Sequence, residues 1–216
     1  MSFVGGVGYS NIDLIYSGLD RLPDKGEEIF ARGFSMQFGG GIPATMINLS
    51  RLGVESRIIT FAGHDLFSEF VKKTLNSYPV KTVNLYRGNK MPVVLSSTLL
   101  YCGDRSFISY TDGMDLNDAV MDEVYENLKG AYVVDMHVGF LDVYKRLKKD
   151  GCIQIFDTGW EDDLTLEKYR DYLEIADYYI PNQKEAMKIT GTSSVEAAAD
   201  VLSEFFSDVT IKMDKE

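Results

Sequence analysis

The stretch Phe38-Gly39-Gly40-Gly41-Ile42-Pro43-Ala44-Thr45-Met46-Ile47-Asn48-Leu49-Ser50-Arg51-Leu52-Gly53 decides how the rest of the chain is read. Three glycines come first. Pro43 then falls where a first helical turn begins, which suits its fixed φ and missing N–H. Ile42, Met46, Leu49 and Leu52 recur at helical spacing with Ile47 beside them. Gly53 stands where a helix stops. The stretch therefore reads as a glycine loop feeding a buried helix. With no Cβ atoms in the way, a ligand comes close to such a backbone. The helix start offers N–H groups to an oxygen-rich ligand. A tight turn and a plainly capped helix is the simpler reading, and this stretch alone does not separate the two.

Working outward, the chain of 216 residues is long enough for one large domain. Its 45% hydrophobic and 25% charged content is that of a soluble globular protein. A net charge of −11 argues against general binding to nucleic acid or to an anionic membrane, though a local pocket can still take an anion. Cys102 and Cys152 do not make a disulfide framework and are expected as free thiols in a reducing compartment. The N-terminus lacks the basic and apolar regions of a signal peptide. No apolar run approaches a membrane span. The expected location is cytoplasmic.

Upstream of the glycine stretch, Phe3-Val4 runs as a strand into Gly5-Gly6-Val7-Gly8. Gly6-x-Gly8 invites a dinucleotide-binding reading, but Asn11 occupies the third glycine position and no helix follows. Asn11-Ile12-Asp13-Leu14-Ile15-Tyr16 alternates like a strand and turns Asn11 and Asp13 to one face. Such a pair can bind sugar hydroxyls, Asn as donor and acceptor and Asp as acceptor only. It equally suits a solvent-facing strand edge. Phe30 to Phe38 alternates again.

Downstream, Ser56 to Gly63 reads as a strand and turn. Asp65 to Asn76 reads as a helix with Leu66, Phe67, Phe70, Val71 and Leu75 inward. Val93–Tyr101 and Ser106–Tyr110 form a hairpin across Cys102-Gly103-Asp104-Arg105. Helices are expected over Asn117–Leu128, Val143–Lys149, Leu166–Ile175, Gln183–Ile189 and Ser194–Phe206. Strands are expected over Gly130–His137, Cys152–Asp157, Tyr178–Asn182 and Val209–Met213. Alternating strands and helices predict an α/β fold: three layers, α/β/α, a mostly parallel sheet, and a small second sheet as lid. The lid strands are expected from about 12–38 and 92–111. His137 and Asp157 end strands, where ligands of α/β folds gather. For His137 a structural role is the first expectation. Trp160 is expected to pack its loop rather than stack on a sugar.

Five ordered segments make the chain resemble the ribokinase-like, or PfkB, carbohydrate kinases. They are Asn11-x-Asp13; Gly39-Gly40-Gly41 through Arg51-Leu52-Gly53; Gly63-His64-Asp65-Leu66-Phe67; Gly103-Asp104-Arg105-Ser106-Phe107; and Asn182-Gln183-Lys184-Glu185. Together they cover nearly the whole chain. The resemblance implies transfer of the γ-phosphoryl group of ATP to a hydroxyl of a small sugar or sugar-like substrate, with Mg²⁺. It implies that Asn11, Asp13, Gly39, Gly40 and Gly41 bind the sugar. Asn182 and Glu185 would serve the phosphate and Mg²⁺ region, Glu185 through a metal-bound water; Asn182 also reads as a plain helix cap. Asp157, Arg105 and Lys212 are further candidates. A homodimer through the β-lid is implied as well.

Two departures stand out. Ala44 occupies a position where the family pattern carries a sugar-binding Asn. The family's Gly-Ala-Gly-Asp motif, which supplies the anion hole and the catalytic base, does not occur in residues 1–216. The resemblance therefore implies a C-terminally incomplete fold. The base and most of the ATP pocket would lie beyond Glu216, and this chain alone would be inactive. A catalytically silent sugar-binding or assembly protein of the same fold is the alternative.

Overall fold

The structure, a computed structural model, describes residues 2–213. In chain order its elements are β1 (Phe3–Val7), β2 (Asn11–Ser17), β3 (Gly33–Gly39), α1 (Gly41–Arg51), β4 (Ser56–Thr60), α2 (Leu66–Leu75), β5 (Lys81–Asn84), β6 (Val94–Tyr101), β7 (Asp104–Tyr110), α3 (Asp118–Leu128), β8 (Ala131–Met136), α4 (Leu141–Lys149), β9 (Ile153–Phe156), α5 (Leu166–Ile175), β10 (Tyr178–Tyr179), α6 (Gln183–Thr190) and α7 (Val195–Leu202). A mostly parallel six-stranded sheet has the order β10-β9-β8-β1-β4-β5. A separate four-stranded sheet has the order β3-β2-β6-β7 and mixes parallel and antiparallel pairs.

Two compact units divide the chain. The first holds the residues up to Val7, Val54–Arg57 and those from Leu116 onward. Within it, β1 pairs with β8 and β8 with β9, all parallel. Such strands are covered on both faces. Gly5 shows why the opening strand is glycine-rich: a Cβ there would stand 2.7 Å from Cδ2 of Leu128 on α3. Phe156 anchors an aromatic stack, with ring centroids 5.2 Å from Tyr172 and 5.6 Å from Tyr179. Tyr144 of α4 is fully buried, and its hydroxyl accepts the His137 N–H at 2.8 Å. Its carbonyl accepts from Gln154 Nε2 of β9 at 2.6 Å. Both bonds tie the helix to the strand ends.

The second unit holds Gly8–Gly53 and Ile58–Asp115. Ile42, Met46 and Ile47 of α1 and Val71 and Leu75 of α2 are buried, as helical spacing predicts, but Leu52, expected on the same buried face, is the C-cap of α1 and is exposed. Asp65 caps α2, accepting from the Phe67 and Ser68 N–H groups at 3.0 and 2.9 Å. Cys102 (φ +50°) and Gly103 (φ +79°) form a two-residue turn with both residues left-handed, the geometry that matches strand twist in a hairpin. The turn is therefore shorter than the four-residue connection expected, and Asp104 and Arg105 belong to β7.

Four expectations are corrected. Leu66 is exposed rather than inward, because Ser68 takes the buried position, its hydroxyl donating to Asp65 and accepting the Gly63 N–H. Phe30 lies outside β3 and is exposed; the strand starts at Gly33, where pairing with Ser17 begins. β5 carries no clear alternation and was not anticipated. Residues 209–213 form only a bridge at Lys212, not a strand. Lys212 N–H donates to Pro181 O and its carbonyl accepts the Gln183 N–H. Pro181 has no N–H to offer and α6 begins at Gln183, so the ladder cannot extend.

Candidate functional site

In the second unit, Asn11 and Asp13 lie two apart on β2 and share one face. The partner strand brings Gly39 opposite Asn11. A Cβ on Gly39 would stand 2.7 Å from Asp13 Oδ2, so only glycine leaves that carboxylate in place. Gly40 has φ +104°, and a Cβ there would stand 2.9 Å from the Tyr9 carbonyl. Gly41 opens α1 with nothing within 4 Å of its Cβ position. No side chain caps the N-terminus of α1, so this helix start, unlike those of α2 and α6, keeps its first N–H groups clear of side-chain acceptors. Ala44 lies exposed on the next turn. Burial pushes the Asp13 carboxyl above its ordinary range, and the Arg105 guanidinium opposes that rise. The structure thus brings Asn11, Asp13, Gly39, Gly40, Gly41 and Arg105 into one unit.

In the first unit, Asp157 follows β9 and receives the Lys212 ammonium at 2.7 Å. Asn182 caps α6: its Oδ1 accepts the Glu185 N–H at 2.9 Å, and Glu185 Oε2 accepts the Asn182 N–H at 2.8 Å. This is a reciprocal capping box. Both sequence readings of Asn182 placed it at a helix start, and it is a cap. The backbone donors here are largely committed: Gln183 N–H goes to Lys212 O and Ala186 N–H to Asn182 O. Little of the helix start is left for a phosphate. The group's positive charge is Lys212, whose side chain is 49% exposed.

The electrostatics of this group are shared. Glu185 is buried, and burial raises its pKa; the Asn182 N–H lowers it, Asp157 raises it further, and Lys212 lowers it. Burial also raises Asp157, against the hydrogen bond and charge of Lys212. Its side chain keeps 43% of its surface, so water screens much of that effect. Asp157, Glu185 and Lys212 thus place two carboxylates and one ammonium within reach of each other's charge. Among the described residues no group of three or more His, Cys, Asp or Glu side chains could hold a bare metal ion.

Two further residues lie near the end of β8 and beyond β9, and Trp160 is not packed into its loop as expected. His137 is largely buried with Nδ1 2.8 Å from the Val138 carbonyl, and burial lowers its pKa. Trp160 is exposed, with the Lys188 ammonium 5.1 Å over its ring. Sequence reasoning did not single out Gln37, Ser96 and Ser109, which pair in one row with Asp13. Each is an ordinary polar residue on a strand, and only the pairing register puts them beside Asp13.

The fold is that of the ribokinase-like kinases. An Arabidopsis thaliana ribokinase, whose structure holds ribose and ATP, superposes with a TM-score of 0.76 at 22% identity, over 99% of this chain and 72% of that one. A Giardia lamblia ribokinase gives a TM-score of 0.82 at 17% identity, over 99% and 70%. A Thermotoga maritima ribokinase gives 0.76 at 20%, over 99% and 72%. The chain belongs to the pfkB family of carbohydrate kinases, whose pattern it matches over residues 1–216. A Pyrococcus horikoshii protein, provisionally named a sugar kinase, is 34% identical over 92 residues, which are 40% of this chain and 30% of that protein.

Proposed function

We propose that the protein serves the ATP-dependent phosphorylation of a hydroxyl on a small sugar or sugar-like substrate. The observation that carries this reading is the Asn11–Asp13 pair beside Gly39, where any side chain would collide with the Asp13 carboxylate. Asn11 donates to and accepts from sugar hydroxyls, and Asp13 accepts from them. The uncapped start of α1 and the open space over Gly41 admit the ring close to the backbone. Phosphoryl transfer needs positioning and charge stabilisation more than covalent chemistry from the protein. The attacking hydroxyl also needs a base, and none of residues 2–213 is assigned that role.

Asp157, Asn182, Glu185 and Lys212 form the proposed phosphate and Mg²⁺ group. Asp157 and Glu185 repel each other across a partly dry site. A hydrated divalent cation relieves such a pair, so the donor set suits Mg²⁺. Glu185 Oε2 is already engaged by the Asn182 N–H, which leaves it to act through a metal-bound water. When bound, Mg²⁺ neutralises charge on the ATP phosphates. Lys212, paired here with Asp157, would hold a phosphate oxygen of the bound nucleotide.

One face of the small sheet leaves Phe34, Met36, Ile108 and Tyr110 exposed. An apolar sheet face of this kind marks an interaction site, and a second copy of the chain, paired through this lid, is the proposed occupant. Both cysteines are free thiols, and among the described residues no helix is long and apolar enough to cross a membrane. The cytoplasm is the proposed location.

A coupled ATP-turnover assay over a panel of sugars, run on the uninterrupted product of the gene, tests the kinase reading; absence of turnover with every sugar would overturn it. The second reading is a catalytically silent sugar-binding or assembly protein of the same fold. It predicts thermal stabilisation by sugar that ATP does not increase. Ala44→Asn restores a hydrogen-bonding side chain on α1. It is expected to tighten a fully hydroxylated sugar by about threefold to tenfold, the worth of one hydrogen bond. Calorimetric titration checks this.

A further inference from the structure

The first unit holds a cavity of about 400 Å³. It is lined by Trp160 of the loop after β9, by Lys184, Met187 and Lys188 of α6, and by Thr192 and Ser193 just beyond that helix. A volume of this order suits a small molecule. Helical spacing explains the lining. Positions 184, 187 and 188 fall on one side of α6, and Glu185, Ala186 and Ile189 are buried on the other. Glu185 of the capping box thus faces inward, and the cavity runs along the opposite side.

This cavity differs from an ordinary solvated helix face in its ring and in its charge. Trp160 is the only tryptophan in the sequence, and its side chain is left largely in water. Lys184 and Lys188 make no ion pair with any described residue, in a chain of net charge −11. Glu161 and Asp163 of the Trp160 loop are both taken by Lys168, so that loop brings one unpaired acid, Asp162, towards two unpaired lysines. Lys184 sits in the first turn of α6, where the helix dipole disfavours a positive charge. No ion pair offsets that cost.

Lys188 is half-buried, with its ammonium 5.1 Å over the Trp160 ring. That contact holds the cation at the cavity wall. In the bland account Lys188 eases the C-terminal end of the α6 dipole and covers part of the indole. It leaves Lys184 and the exposure of the ring unexplained. The two lysines stand one turn apart, with about 5–6 Å between Cβ atoms, so both ammonium groups can close on one anion. The Ser193 hydroxyl has no partner among the described residues and adds a donor. The Thr192 hydroxyl is already spent on Thr190 and the Ser194 carbonyl. Trp160 and Met187 supply the apolar part of the wall.

We infer that this cavity binds a small organic anion, a phosphate ester or carboxylate with a flat or apolar body. Lys184 and Lys188 hold the anion, Ser193 donates to it, and Trp160 and Met187 take the body. The inference does not rest on the kinase reading, because none of these residues is among those proposed to hold sugar, phosphate or Mg²⁺.

The lone tryptophan makes the test direct. Tryptophan emission of the purified protein, without sugar, ATP or Mg²⁺, is titrated with phenyl phosphate, benzoate, inorganic phosphate and benzyl alcohol, and calorimetry gives each affinity independently. Phenyl phosphate or benzoate changes the emission saturably and binds more tightly than benzyl alcohol and inorganic phosphate by about tenfold or more. The tighter of the two tells phosphate from carboxylate. Lys184→Gln and Lys188→Gln each weaken that probe by about threefold or more, the worth of an exposed charge contact. Trp160→Leu weakens it comparably by calorimetry. Lys149→Gln, at an exposed lysine outside the cavity, leaves the affinity unchanged. Lys184 and Trp160 are exposed, so their replacement does not threaten the fold, and an unaltered melting temperature verifies each variant. No saturable response to either aromatic anion overturns the inference. So does equal affinity for benzyl alcohol or inorganic phosphate, or an affinity unaltered in both lysine variants.

Discussion

At the residue scale, three consecutive glycines do three different jobs. Gly39→Ala pushes against the far end of a side chain, Asp13 Oδ2, which can move. Its expected effect is loss of sugar binding by tenfold or more with an almost unchanged melting temperature. Gly40→Ala forces a Cβ against the Tyr9 carbonyl at φ +104° and should cost about 1–3 kcal/mol of stability. Gly41→Ala meets nothing and should leave stability unchanged. Urea unfolding and sugar titration of the three variants distinguish these outcomes. Glu185 gives a pH test. Its folded pKa lies above the ordinary glutamate value, chiefly through burial. The folded chain therefore holds that proton more tightly than the unfolded chain, and stability falls as pH rises from the ordinary value through the raised one. Glu185→Gln keeps an oxygen for the Asn182 N–H and removes the ionisation. Between pH 4.5 and 7 its melting temperature should fall less with rising pH than that of the unaltered protein. Equal slopes would show that Glu185 does not carry the dependence.

At the element scale, local sequence signals and structure agree where the chemistry is self-contained. Asp65, Asn117, Thr165, Asn182 and Ser194 all cap the helices that follow them. Each uses its own side chain on a backbone N–H two or three residues ahead, so no distant contact is needed. The β6–β7 turn is the exception that reports strain. Cys102 holds φ +50°, a conformation that Asn adopts more readily. Cys102→Asn should stabilise the protein by about 0.5–1 kcal/mol, read as a higher midpoint in urea with an unchanged slope. The failed strand at 209–213 shows the converse. Its residues have strand character, yet a neighbour only two residues long and closed by Pro181 leaves one bridge.

At the scale of the whole molecule, the small sheet carries the dimer proposal. β7 is exposed along its full length, and Ile108 is 72% exposed. If a second copy covers this face, Ile108→Asp should convert a dimer into a monomer in sedimentation velocity. Polar replacement of an exposed residue leaves the fold intact. A monomer before and after the change would remove the dimer reading. The same sheet separates its residues by face: Asp13 and Ser96 share one, and Met36 and Ile108 the other. A strand period of two makes that division possible within seven residues.

The sequence by itself determined the alternation of strands and helices, the caps, the glycine loop and the Asn11–Asp13 pair. These depend on contacts within a few residues, or on backbone freedom that only glycine has. It also held the ordered segments by which the chain belongs to its family. Tertiary structure alone decided that Gly39 guards the Asp13 carboxylate, that Lys212 answers Asp157 across 55 positions of chain, and that the α6 start is largely spent on its own cap. It alone placed Gln37, Ser96 and Ser109 beside Asp13. Strand register is set by pairing between distant segments. A serine on an alternating strand carries no mark of its neighbours until the sheet forms.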